Sequence, residues 1–168
     1  MPEPGCGSKI AEVIGEEGNT MTPGNWDDDF PPEGVTNLES GTYCIAGDVI
    51  VETKLTGTGV LLVIENGRVQ FTGGAEVDLS APKTGPFKGL LMFMPADNSN
   101  RIALNGNFNS KYKGTILAPA GDIRINGLES TYGYHSQIIG YYVEVDGTDA
   151  VYIKYNDEEN YDAYRMPE

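Results

Sequence analysis

The sequence predicts an all-β protein: a single-domain β-solenoid (parallel β-helix) of about five coils with a capping arm at each end. Three observations carry that prediction. A phrase recurs in which two apolar residues flank a polar or small one, followed by one further residue and then glycine. Its copies are Val69-Gln70-Phe71-Thr72-Gly73, Ile102-Ala103-Leu104-Asn105-Gly106, Ile123-Arg124-Ile125-Asn126-Gly127 and Val143-Glu144-Val145-Asp146-Gly147. The copies begin 33, 21 and 20 residues apart, and a weaker one, Val49-Ile50-Val51, precedes Val69 by another 20. Ahead of each copy runs a short apolar stretch bounded by glycine, proline or serine, of which Gly59-Val60-Leu61-Leu62-Val63-Ile64 and Gly89-Leu90-Leu91-Met92-Phe93-Met94 are the clearest. Alternation with a period of two gives strands with one buried face, and the short unbroken apolar runs read as strands buried on both. One coil therefore holds a buried strand, a turn, a half-buried strand and another turn. A single coil cannot bury its apolar face alone, whereas a stack can. An antiparallel sandwich, which also spaces short strands regularly, is the competing architecture.

In chain order, residues 1–40 read as an irregular N-terminal capping arm, 41–155 as the solenoid and 156–168 as an acidic C-terminal tail or cap. Only residues 8–14 of the arm have the pattern for a helical turn or two, closed off by Gly15 and Gly18. The acidic turn around Asp27-Asp28-Asp29 holds Trp26 and Phe30, two rings suited to pinning the arm to the end of the stack. The coils follow at 41–52, 59–74, 89–106, 114–127 and 136–147. Residues 75–88 read as an insertion whose first half alternates as one more strand, and 95–101 as a second excursion; such excursions gather on one face of a solenoid, often the working one. Val151-Tyr152-Ile153-Lys154-Tyr155 is a last strand, after which Tyr161 and Tyr164 can cap the far end.

Composition supports short strands and many turns: glycine is 22 and proline 10 of 168 residues, and apolar residues are 39%. A net charge of −14, from 25 acids against 11 Lys and Arg, excludes the basic stripe that phosphate neutralisation needs, so nucleic acid is not a partner. No apolar run is long enough to span a membrane as a helix. Met1-Pro2-Glu3-Pro4 reads as the start of a trimmed or mature fragment, so the lack of a secretory signal in this chain does not place the protein. Cys6 and Cys44 are the whole thiol inventory. They fit either a disulfide tying the arm to the first coil or two inert buried thiols, and the disulfide is favoured because Cys6 lies in a segment with no other anchor.

Sites for chemistry are sparse. The lone His135 has no Gly-x-Ser-x-Gly elbow to serve and no metal-ligating companions, so a structural histidine is expected. The three aspartates at 27–29 lack the spacing of a calcium loop, which leaves a solvated acidic turn as the preferred reading and a calcium-stabilised surface domain as an alternative. Between the inward positions of the second strand stand Ile50, Gln70, Ala103, Arg124 and Glu144, a row with one carboxylate and not the paired acids of a glycosidase. No catalytic residue, cofactor or metal is expected. Tyr132, Tyr134, Tyr141 and Tyr142 cluster near His135 and are the candidate binding surface, for a glycan or a protein partner, with core and cap packing as the favoured competing account.

The run from Gly114-Thr115-Ile116-Leu117-Ala118-Pro119 to Ile125-Asn126-Gly127, then Ser136-Gln137-Ile138-Ile139-Gly140 and the closing Tyr152-Ile153-Lys154-Tyr155, resembles the C-terminal glycine-rich repeat domain of TadG-like envelope proteins of tight-adherence (Flp) pilus systems. Related PilX-like pilus-assembly proteins share the pattern. Leu38-Glu39-Ser40-Gly41-Thr42-Tyr43-Cys44 and the stretch from Gly73 to Leu91 are similar to the same group, so the likeness covers about residues 35–165. It implies an exported, extracellular or cell-surface domain with no catalytic residues to carry over, although such proteins usually have an N-terminal hydrophobic anchor that this chain lacks. The expected function is a non-enzymatic structural or adhesion module of a pilus or surface assembly, acting by stacking and loop presentation. Its partners would be other envelope or pilus proteins, or further copies of itself. A carbohydrate-binding or carbohydrate-cleaving β-helix, working near residues 83–101 or 128–142, is the rival.

Overall fold

The computed structural model describes residues 3–105, 109–127, 134–147, 151–156 and 158–161. They form an all-β parallel solenoid of about six turns and contain no helix. Among the described residues no helix is long and apolar enough to cross a membrane.

The arm contributes β1 (Val13–Ile14), and six coils follow. The first holds β2 (Thr20–Met21), β3 (Gly24–Trp26) and a bridge at Phe30; the second β4 (Asn37–Leu38), β5 (Gly41–Ile45) and β6 (Val49–Val51). The third runs β7 (Lys54–Thr58), β8 (Val60–Ile64) and β9 (Val69–Phe71); the fourth β10 (Glu76–Ser80), β11 (Leu90–Phe93) and β12 (Ile102–Leu104). In the fifth, β13 (Lys111–Lys113) leads into β14 (Thr115–Asn126), in the sixth β15 (Tyr134–His135) precedes β16 (Ile138–Asp146), and Ile153 bridges onto Tyr134 as the next rung beyond β15. Each coil is three-sided. One sheet stacks β2, β4, β7, β10, β13 and β15, with β1 added at its edge. The other bends round a corner, because β14 runs through it unbroken and pairs with β11 by its first half and β12 by its second. All strand pairs are parallel except β1 with β2.

The register places the repeated phrase in one column: Val49 beside Val69, Val69 beside Ile102, Ile102 beside Ile123 and Ile123 beside Val143. The outward row Ile50, Gln70, Ala103, Arg124, Glu144 stacks alongside in the same order. The unbroken apolar runs are buried on both sides: every residue of β8 and β11 is buried. Inward residues join the main core, while Cys44, Leu61, Val63, Leu90 and Phe93 make a second cluster on the outer face. Cys6, Phe87 and Tyr161 cover that cluster from the arm, the 82–88 loop and the C-terminal segment.

Three expectations are corrected. There are about six coils and not five, because residues 20–36 build a coil inside what reads as an irregular arm. Strands of two and three residues leave no alternation to detect, yet Met21 and Phe30 are core residues. There are three strands per coil, and 76–80, read as an insertion, is a regular rung of the third side, registered against Lys54–Thr58. Residues 8–14 form no helix; Val13–Ile14 is a strand and Ile10 bridges to Asn25.

Inside, Phe71, Tyr112 and Tyr134 pile face to face with centroids 5.7 and 5.2 Å apart. Such contacts add about 0.5–1.5 kcal/mol each beyond burial. The hydroxyls find carbonyls: Tyr112 donates to Asn105 at 2.5 Å, and Tyr134 to Asn126 at 3.1 Å. Burial pushes both phenols well above their ordinary range. Corners are stitched by side chains reaching between coils. Asp29 Oδ1 accepts from the Asp48 amide at 2.9 Å, Asp48 Oδ1 accepts from the Arg68 amide at 3.0 Å, and Asn98 donates to the carbonyls of Ile64 and Gly67 at 3.0 and 2.9 Å.

Candidate functional site

A parallel stack has two ends, and at each the last coil offers backbone groups and apolar side chains that a neighbour would cover. At the start, the arm covers them. Ala11 donates to Asn25 at 2.9 Å, Asn25 to Lys9 at 2.7 Å and Thr22 to Glu12 at 2.8 Å, so amides of the first coil that aim backward find carbonyls of residues 9–12. Gly24, at φ +149°, permits this approach, since a Cβ there would lie 2.5 Å from the Ile10 carbonyl carbon. The disulfide between Cys6 and Cys44 fastens the arm to the outer face, as the preferred sequence reading had it.

At the far end β15 is covered, with Tyr134 donating to Tyr152 at 2.7 Å and Lys154 to Tyr134 at 2.8 Å, but the side built on β16 is different. Among the described residues β16 pairs with β14 alone, leaving its other edge open along Ile138–Asp146. Backbone direction along the inward column shows which groups this leaves free. Val49 donates forward to Arg68 at 2.8 Å and Val69 forward to Arg101 at 3.0 Å, whereas the outward-facing Ile50 donates backward to Phe30 at 2.8 Å. By the same alternation, Val143 and Val145 aim their amides away from β14. Their side chains, which continue a buried column, are 41% and 56% exposed. Ile139 and Tyr152 add exposed apolar surface nearby in sequence.

The candidate tyrosines divide. Tyr141 and Tyr142 are 80% and 59% exposed on β16. Tyr134 is fully buried in the ring pile and cannot meet a ligand, which corrects its place in the candidate surface. Its neighbour Tyr112 lies in a different coil, so only the fold brings the two rings together. Tyr132 lies outside the described residues, as does the 128–133 part of the rival carbohydrate region.

Electrostatics at the open edge centre on Arg124. Its guanidinium donates to the Asp146 carboxylate, and its Nε lies 3.8 Å from Glu144 Oε2. The Gly147 amide, donating to Asp146 Oδ1 at 2.7 Å, and then the Arg124 contact hold the Asp146 carboxyl below its ordinary range. Donating that hydrogen bond to Asp146 raises the Arg124 pKa. His135 Nδ1 lies 3.5 Å from Glu159 Oε2, beside an open cleft lined by Lys154, Tyr155, Asn156 and Glu158. The 158–161 segment is held to the coils by hydrogen bonds from the Gln137 amide to Asn160 Oδ1 and from the Tyr161 amide to Thr115 Oγ1, each at 2.8 Å. Asp28 and Asp29 spend carboxylate oxygens on the amides of Asp29 and Asp48, and no group of three or more metal-binding side chains occurs among the described residues.

No protein-family model matches this chain, nor does any curated protein or solved structure.

Proposed function

We propose that the protein is a non-enzymatic, extracytoplasmic structural or adhesion module of a pilus or cell-surface assembly, which joins its assembly through the open end of the solenoid. The observation that carries the reading is the exposed edge of β16, where a buried column ends in half-exposed valines. Long apolar edges are costly to leave in water, and proteins usually blunt or cover them. The disulfide supports an oxidising compartment, where such bonds persist. Its partners are other envelope or pilus proteins.

The test is co-sedimentation with appendages sheared from intact cells. The wild-type chain travels with them and Val145→Lys, which puts a charge into the docking row, does not. Recovery of the chain in the cytosol, or equal co-sedimentation of the variant, overturns the reading. Tyr141, the most exposed aromatic residue among the described residues at this end, favours glycan binding as the second reading. Hits on a glycan array that vanish in Tyr141→Ala support it, and an array without hits removes it.

A further inference from the structure

Consecutive coils are matched in charge as well as in register. On the third side, Lys54 of β7 lies 3.5 Å from Glu76 of β10, and Asp78 of β10 lies 3.9 Å from Lys111 of β13. At a corner, Arg68 of the third coil lies 3.1 Å from Asp48 of the second. Each pairs a base on one coil with an acid on an adjacent coil, the acid on the earlier coil in the Asp48–Arg68 and Asp78–Lys111 pairs. Exposed pairs like these add little stability; what they contribute is a preference for one neighbour over another. On the second strand the series ends at β16 with two carboxylates, Glu144 and Asp146, sharing the single guanidinium of Arg124. That leaves a net negative charge along an edge whose Val143 and Val145 amides point outward.

We propose that the open edge of β16 binds an extended segment of a separate polypeptide in which apolar residues alternate with Lys or Arg. The segment adds a parallel strand. Its apolar residues extend the column Val49, Val69, Ile102, Ile123, Val143, and its basic residues lie over Glu144 and Asp146. A second copy of this chain is the poorer occupant. It carries a net charge of −14, and its own edge would bring Glu144 and Asp146 against carboxylates. Like charges directly opposite one another across strands are destabilising. The inference rests on the reading of β16 as the assembly end, and adds the chemistry of the partner.

The test uses the full chain and three labelled peptides of about nine residues, the span of β16. One alternates Val with Lys, one alternates Val with Glu, and one has the Val and Lys composition in an order without alternation. Binding is followed by fluorescence anisotropy, and protection of the Val143 and Val145 amides by hydrogen exchange. The alternating Val-Lys peptide should bind most tightly, protect both amides and weaken as salt is raised. The double variant Glu144→Gln, Asp146→Asn should weaken it roughly threefold to tenfold, as expected for the loss of two cross-strand charge pairs. Equal binding of the Val-Glu peptide, equal binding of the unpatterned one, or no protection of the two amides overturns the proposal. If Val145→Lys loses co-sedimentation while every peptide fails, the partner chemistry is wrong and the assembly reading stands. If the variant still co-sediments, both fall.

Discussion

The first coil and the last are made of similar residues and meet water differently. Met21 and Phe30 of the first are buried, while Val143 and Val145 of the last are half exposed. The difference lies in what precedes and follows the repeat. Residues 9–12 supply carbonyls to the first coil and a disulfide holds the arm down, whereas β16 has a strand on one side only among the described residues. Among the described residues, the start of the stack is covered along its edge and the β16 side of the far end is not.

The sharpest way to break this comparison is to truncate an apolar side chain at each end. Phe30→Ala should cost about 3–5 kcal/mol by denaturant unfolding, because the ring is fully buried against Tyr43 at 5.8 Å. Val145→Ala should cost about 1 kcal/mol or less, as expected for a half-exposed position. Equal costs would mean that the ends are alike. Next in size is the bond that closes the arm. Replacing Cys6 and Cys44 together by serine should cost about 2–4 kcal/mol, with a cross-link spanning 38 residues lost from the unfolded chain. The variant should also turn the arm into the first site of proteolysis; an unchanged midpoint would show that the arm is held without it.

Gly24→Ala should be milder, about 1–3 kcal/mol, since the new methyl meets the Ile10 backbone and φ +149° strains any L side chain. The amide of Asn25, bonded to Lys9, should then exchange faster. Smallest is the acid response of Asp146. A folded pKa below the ordinary 3.8 means that its stabilisation is present above that value and is lost as pH falls through the folded pKa. In an NMR titration, Arg124→Gln should return the Asp146 pKa only part of the way. The largest single contribution comes from the Gly147 amide, which the substitution leaves in place.

How far the sequence spoke for the two ends follows from strand length. Column and row on the second strand were legible because Ile-x-Leu, Ile-x-Ile and Val-x-Val keep the period of two and recur at one coil length. The third side was not. In Lys54–Thr58 only Leu55 is buried, and β4 and β15 are two residues long, so nothing periodic marks them as rungs. The first coil escaped notice for the same reason, although its Phe30 ring, read as a pin for the arm, turned out to be core. Of the candidate surface, Tyr141 and Tyr142 could be named from their place in the last coil. Tyr134 was indistinguishable from them by composition, because its burial depends on Phe71 and Tyr112, which different coil lengths bring into line. The shared guanidinium of Arg124 was equally hidden: the row of outward residues named Arg124 and Glu144, and only the register added Asp146.

Residue-resolved hydrogen exchange on the isolated protein tests the asymmetry most directly, by comparing the amides of inward-facing residues along the stack. Val49 and Val69, which donate forward to Arg68 and Arg101, should exchange slowly, and Val143 and Val145 should exchange at nearly unprotected rates. Slow exchange at Val143 and Val145, matching Val49, would contradict an open end.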